Sequence, residues 1–223
     1  MPCRLFHYRA YGGKPLFGDY EEVFLEDSTR GACPIGSLGV VYNRLAERRT
    51  LLTTSPPGMG KTTLVTRLID RFRDLKVAGF YTAEIRTGGE RKGFDLVDLR
   101  GERVLLSHVG IKGGKRIGKY GVDVVGFERY LGTAPFFGSG TDLVIIDEIG
   151  KMECLSGNFT NLVVNLLDAP ITVIATIALY GGGIMDRIRT RPDVRLYRVT
   201  QDNRDSLAEE IEKAARATFA RPS

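Results

Sequence analysis

Histidine and cysteine are scarce in these 223 residues, and no apolar run is long enough to suggest a membrane span. Histidine occurs only at His7 and His108, which leaves no material for a histidine-based metal centre. The three cysteines, Cys3, Cys33 and Cys154, are scattered and show no metal-ligand spacing. That usage fits a reducing compartment, the cytoplasm in the simplest case, better than a disulfide scaffold. No stretch approaches the about 20 apolar residues that a helix needs to cross a bilayer, so no membrane partner is expected. Long runs of one charge sign are also missing. The net charge of +5 comes from bases mixed with acids along the chain. No basic run interleaved with aromatics marks a nucleic-acid surface. Hydrophobic residues, at 43%, suffice for a sizeable core, and the length points to one domain with at most an appendage.

Residues 53–63 read Thr-Thr-Ser-Pro-Pro-Gly-Met-Gly-Lys-Thr-Thr, after the apolar pair Leu51 and Leu52 and before a helix-like run with Leu64, Val65, Leu68 and Ile69. This is the ending of a phosphate-binding P-loop. A glycine-rich turn lets successive backbone N–H groups converge on phosphate oxygens, and the following helix adds the positive end of its dipole. The nucleotide-binding set is Ser55, Pro56, Pro57, Gly58, Met59, Gly60, Lys61, Thr62 and Thr63. Lys61 is expected to reach the β- and γ-phosphates, and Thr62 to ligate Mg²⁺, the one cofactor implied. Ser55 occupies the place of the first glycine of the pattern, where the chain turns tightly. Pro56 biases it toward an extended conformation, so a slightly altered loop entry is expected.

A second motif lies downstream. In Asp142-Leu143-Val144-Ile145-Ile146-Asp147-Glu148, four successive apolar residues suit a central parallel strand covered on both faces. An acid at the carboxyl end of such a strand falls in the crevice where α/β proteins hold ligands. Asp147 is placed to share the metal with Thr62. Glu148, one position on, can orient an attacking water or take its proton, which favours hydrolysis over phosphate transfer.

The remaining pattern alternates strand and helix, as a mostly parallel α/β sheet requires. It predicts strands over 49–54, 77–85, 171–177 and 194–199, and helices over 61–74, 156–168, 182–190 and 203–219. Asn203 or Asp202 is the expected cap of the last helix. Strands over 93–99 and 103–107 form a small inserted antiparallel β element. Residues 111–125, glycine-rich and basic, read as a loop with a short strand. Residues 1–48 stand outside this rhythm, with six basic and six acidic residues and only short apolar pieces. They are expected to be a poorly ordered or peripheral N-terminal extension to a nucleotide-binding domain over 49–220. No amphipathic Arg/Ser-rich targeting helix is evident in them.

The segments Thr54 to Thr63, Gly79 to Arg86, Arg91 to Asp95, Gly121 to Asp123, Ile146 to Glu153 and Asn203 to Asp205 together resemble the family of the cancer-related nucleoside-triphosphatase, the thermophile-type P-loop nucleoside-triphosphatases. The resemblance covers residues 50–215, and Asp-Glu-Ile-Gly-Lys-Met-Glu is its most specific string. It implies a RecA-like sheet with an extra strand between the P-loop strand and the Asp-Glu strand. It also implies a slow, base-tolerant, Mg²⁺-dependent hydrolase giving diphosphate and phosphate. The family carries glycine at the position of Ser55, and a helix ahead of the Asp147 strand. Here residues 130–140 are short and poor in helix formers, so altered packing beside that strand is expected.

Further residues could serve the site. Thr176 ends a strand beside Asp147, and its hydroxyl suits either the γ-phosphate and water or core packing. Lys151 could touch phosphate or pair with Glu153. Arg187, Arg189 and Arg191 cluster where related kinases carry a lid, and an arginine there could offset transition-state charge. Asn203 and Arg204 follow the last strand, and Arg204 stacked on a base would tolerate any base. Three readings follow: a hydrolase of nucleoside triphosphates acting as a monomer, a P-loop nucleotide or small-molecule kinase, and a non-catalytic nucleotide-binding module.

Overall fold

The computed structural model describes residues 49–219, and the expectations for residues 1–48 lie outside them. Among the described residues nine strands form one sheet in the order β5-β6-β4-β3-β2-β7-β8-β1-β9. The strands are β1 (Thr50–Thr54), β2 (Val77–Thr87), β3 (Glu90–Asp98), β4 (Arg103–His108), β5 (Arg116–Ile117), β6 (Tyr120–Val122), β7 (Leu143–Ile149), β8 (Thr172–Ile177) and β9 (Val194–Arg198). β2, β7, β8, β1 and β9 run parallel to their neighbours in that half. The rest pair antiparallel and extend the sheet beyond β2. β8 lies between β1 and β7, so the extra strand implied by the resemblance is present.

Alternation along β7 explains why both faces are covered. Val144 and Ile146 join one apolar cluster, with Phe80, Phe127, Phe159 and Val163. Leu143 and Ile145 join the other, with Leu64, Leu68, Phe72, Leu207 and Ile211. All four β7 residues are fully buried, which suits a central strand between two helical layers. The second layer is α1 (Lys61–Arg71) and α5 (Leu207–Phe219), while α2 (Val124–Thr133), α3 (Gly157–Asp168) and α4 (Ile184–Arg189) follow the first. Ser156 starts α3 by accepting from the Phe159 N–H at 3.0 Å.

Three expectations change. Residues 111–125 contain two short strands, and a helix begins at Val124, capped by Asp123 Oδ1 on the Gly126 N–H at 2.9 Å. The packing beside β7 is filled despite the short 130–140 segment. Phe127 and Tyr130 each meet Phe80 edge-on at 5.9 Å, and Phe136 is buried against Tyr130. Burial of that aromatic stripe outweighs the weak helix propensity of Gly126 and Gly132. The last helix starts at Leu207, not residue 203, and Asn203 does not cap it. The Asn203 side chain turns back instead, accepting from the Thr200 N–H at 2.8 Å and donating to the Arg198 carbonyl at 2.9 Å.

Candidate active site

The P-loop links β1 to α1 at the carboxyl ends of the parallel strands. Gly58 and Gly60 hold φ of 80° and 90°, the left-handed region that side chains resist. Ser55 is buried at the loop entry, with its hydroxyl on the Pro56 carbonyl at 3.0 Å. Pro56 and Pro57 are exposed and Met59 is half-buried. No side chain caps α1 and no acid lies in its first turn. Its first backbone N–H groups therefore remain available to an anion.

Across the crevice, β7 delivers Asp147 and Glu148. Thr62 Oγ1 donates to Asp147 Oδ2 at 2.8 Å, and Thr176 Oγ1 donates to Asp147 Oδ1 at 2.6 Å. Asp147 is 1% exposed and Thr176 fully buried. Burial pushes the Asp147 carboxyl above the usual range, and the hydroxyls of Thr176 and Thr62, then Lys61, hold it down. Glu148 also stands above the usual range through burial, opposed by the charge of Lys61. Lys61 Nζ lies 3.6 Å from Glu148 Oε2 and donates to the Ser55 carbonyl at 3.3 Å. Lys61, Thr62, Asp147, Glu148 and Thr176 thus share one cluster. Among the described residues no group of three His, Cys, Asp or Glu could cage a metal. Mg²⁺ needs no such cage, since it keeps several waters and takes one or two protein oxygens plus phosphates. Thr62 and Asp147 fit that donor set.

Beside the loop, a cavity of about 220 Å³ is lined by Gly60, Thr63, Leu64, Arg67, Arg204 and Asp205. Arg204 was expected near the nucleotide, but Arg67, bonded to Asp205 at 2.9 Å, was not. Its position four residues after Thr63, on the same helix face, is the signal available in the sequence. Asn203 is held by the β9 end and does not line this cavity. Lys151 is exposed and forms no ion pair with Glu148 or Glu153. Arg189 is committed to the Ala178 and Gly181 carbonyls and to Asp186. Arg191 pairs with Asp168 and Asp193, whereas Arg187 is exposed. Glu84 pairs with Arg86 along β2 and with Arg91 across the β2–β3 hairpin.

Glu153 went unassigned beyond a pairing with Lys151. A 3₁₀ turn over Glu153–Leu155 returns it beneath Glu148, where it is 4% exposed. Burial, with the nearby Glu148 and Asp147 charges, pushes its carboxyl up to about 8.

Comparison with known proteins gives the family of the chain. A family described as NTPase matches residues 50–212. The cancer-related nucleoside-triphosphatase homolog of Bos taurus is 41% identical over 179 residues, covering 73% of this chain and 94% of its own length. Nucleoside-triphosphatase THEP1 of Thermotoga petrophila is 39% identical over 163 residues, covering 72% and 89%. The solution structure of a human cancer-related nucleoside triphosphatase superposes with a TM-score of 0.66 at 36% identity, covering 78% of this chain and 100% of that one. The P-loop, the Asp-Glu strand and these matches together make the chain a member of the NTPase family.

Proposed function

We propose that this chain hydrolyses nucleoside 5′-triphosphates (ATP, GTP, CTP, UTP and their deoxy forms) to diphosphate and phosphate, with Mg²⁺. The carrying observation is the 2.8 Å contact between Thr62 and Asp147, with Glu148 next in the chain and 3.6 Å from Lys61. Loop residues Gly58 to Thr63 supply backbone N–H groups to the phosphates, which Pro56 and Pro57 cannot do. Held between Thr62 and Asp147, Mg²⁺ would offset the charge of the β- and γ-oxygens. Lys61 exchanges Glu148 for phosphate oxygens, and Thr176 keeps Asp147 oriented. Glu148, raised above the usual carboxylate range by burial, orients the attacking water and accepts its proton. Arg204, and Arg67 beside it, border the base without a fixed donor–acceptor pattern.

The test is phosphate release from each nucleotide, with and without Mg²⁺, by the wild type and Glu148→Gln. Turnover is expected to fall by about 10²–10⁴-fold in the variant, the usual contribution of a general base. Binding of a non-hydrolysable analogue is expected to stay within a few-fold. An equal loss of binding would remove Glu148 from this role.

A further inference from the structure

Glu153 is a buried carboxyl that the hydrolysis mechanism leaves without a task. It sits at the start of the 3₁₀ turn that follows β7, and the Cys154 N–H closes that turn on the Gly150 carbonyl at 3.0 Å. The backbone amides of Glu153 and Gly150 oppose the rise that burial gives the Glu153 carboxyl. Glu148 approaches the same glycine from the strand side. A Cβ on Gly150 would stand 2.7 Å from Glu153 Oε2 and 2.8 Å from Glu148 Oε1. The two carboxyls therefore flank one point, and only glycine leaves room for both. Glu148 has its other oxygen, Oε2, turned toward Lys61.

We propose that Glu153 is a positioning residue for hydrolysis, holding Glu148 Oε1 from behind so that Oε2 is aimed at the attacking water. This rests on the reading of Glu148 given above. The need arises from Lys61. Once Lys61 takes phosphate oxygens, Glu148, half-buried with its side chain 32% exposed, loses the cation that Oε2 faces and with it what fixes its aim. Glu153 is the group on its other side. In its neutral form the Glu153 carboxyl offers one O–H beside Gly150, the same glycine that Glu148 Oε1 approaches. Burial favours that neutral form, as do the Glu148 and Asp147 charges on β7. Cys154, on the same turn, stays a neutral thiol, pushed up to about 12 by burial and by Glu153 and Glu148. The turn is fixed from outside by Lys115 Nζ on the Leu155 carbonyl at 2.7 Å and by Ser156 Oγ on Glu128 at 2.7 Å.

The experiment measures kcat and KM for ATP against pH for the wild type, Glu153→Gln and Glu153→Ala, with Glu148→Gln as control and analogue binding alongside. Wild-type kcat is expected to fall on the alkaline side near the Glu153 value of about 8, with KM steady. Ionised Glu153 cannot donate and repels Glu148. Glutamine keeps a donor at every pH, so Glu153→Gln is expected to retain neutral-pH turnover and lose the alkaline fall. Glu153→Ala is expected to lose about 10²-fold in kcat, the cost of a misplaced reacting group, without loss of binding. A wild-type profile flat through that range overturns the proposal, whether or not the variants fold. So does an alkaline fall that persists in Glu153→Gln. If Glu148→Gln itself still turns over, the reading of Glu148 fails. If it is inactive while Glu153→Gln keeps the wild-type profile, the assignment of Glu153 alone fails.

Discussion

Asp147 shows how one buried carboxyl is held in place by hydroxyl donors. A carboxylate with 1% exposure would cost several kcal/mol unsatisfied, yet both of its oxygens accept hydroxyl hydrogen bonds, from Thr62 and Thr176. In the proposed mechanism a metal on the Thr62 side would leave Thr176 as the fixed holder of the other oxygen. Such an orienting partner is worth about 1.5–3 kcal/mol when the acceptor is charged. Thr176→Val, which keeps the shape and deletes the hydroxyl, is therefore expected to lower kcat/KM by roughly tenfold or more and to raise the Mg²⁺ needed for half-maximal rate. Titrating Mg²⁺ at saturating ATP checks this. An unchanged Mg²⁺ dependence would make the Thr176 hydroxyl a core contact only.

At the scale of elements, two helices illustrate what the sequence makes legible. The P-loop and the run Leu143 to Glu148 announce themselves because glycine freedom and unbroken burial leave few other uses for such strings. The α2 helix does not announce itself, since Gly126, Gly132 and the Val124-Val125 pair are poor helix formers. Only tertiary contact explains it: Phe127 and Tyr130, one turn apart, share a face against Phe80. Phe127→Ala should accordingly destabilise the protein by about 3–5 kcal/mol, read from urea unfolding. A loss below about 1 kcal/mol would mean that the aromatic cluster is not what holds α2. Asn203 misleads for a similar reason. It has the chemistry of a cap, but its side chain is taken up by the Thr200 N–H and the Arg198 carbonyl. Glu153 was illegible because its role depends on a 3₁₀ turn that no periodicity reveals. Its folded-state value, raised to about 8, lies above the ordinary carboxylate value of 4.5. The native state then binds the extra proton, so stability falls as pH rises between those values. Glu153→Gln is expected to flatten that slope in thermal unfolding measured from pH 5 to 9.

For the molecule as a whole, the sheet order sets the chemistry. Placing β8 between β1 and β7 puts Thr176 beside Asp147, while the carboxyl ends of all three strands open on the same crevice. The antiparallel strands beyond β2 widen the sheet away from that crevice, and α1 with the turn ahead of α5 lines the cavity through Arg67 and Arg204. Arginine faces near an open cavity attract any base, each worth about 0.5–1 kcal/mol when exposed. Arg204→Ala should therefore raise KM only a few-fold, and by a similar factor for ATP, GTP, CTP and UTP. A loss confined to one base would indicate edge recognition instead. The most direct test of the central claim is a structure of the chain with Mg²⁺ and a non-hydrolysable triphosphate analogue. The account predicts Mg²⁺ at about 2.1 Å from Thr62 Oγ1 and from phosphate oxygen, Lys61 moved from Glu148 onto the β- and γ-oxygens, and a water between Glu148 and the γ-phosphorus. Phosphates bound away from residues 55–63, or Lys61 still paired with Glu148 while the analogue is bound, would contradict it.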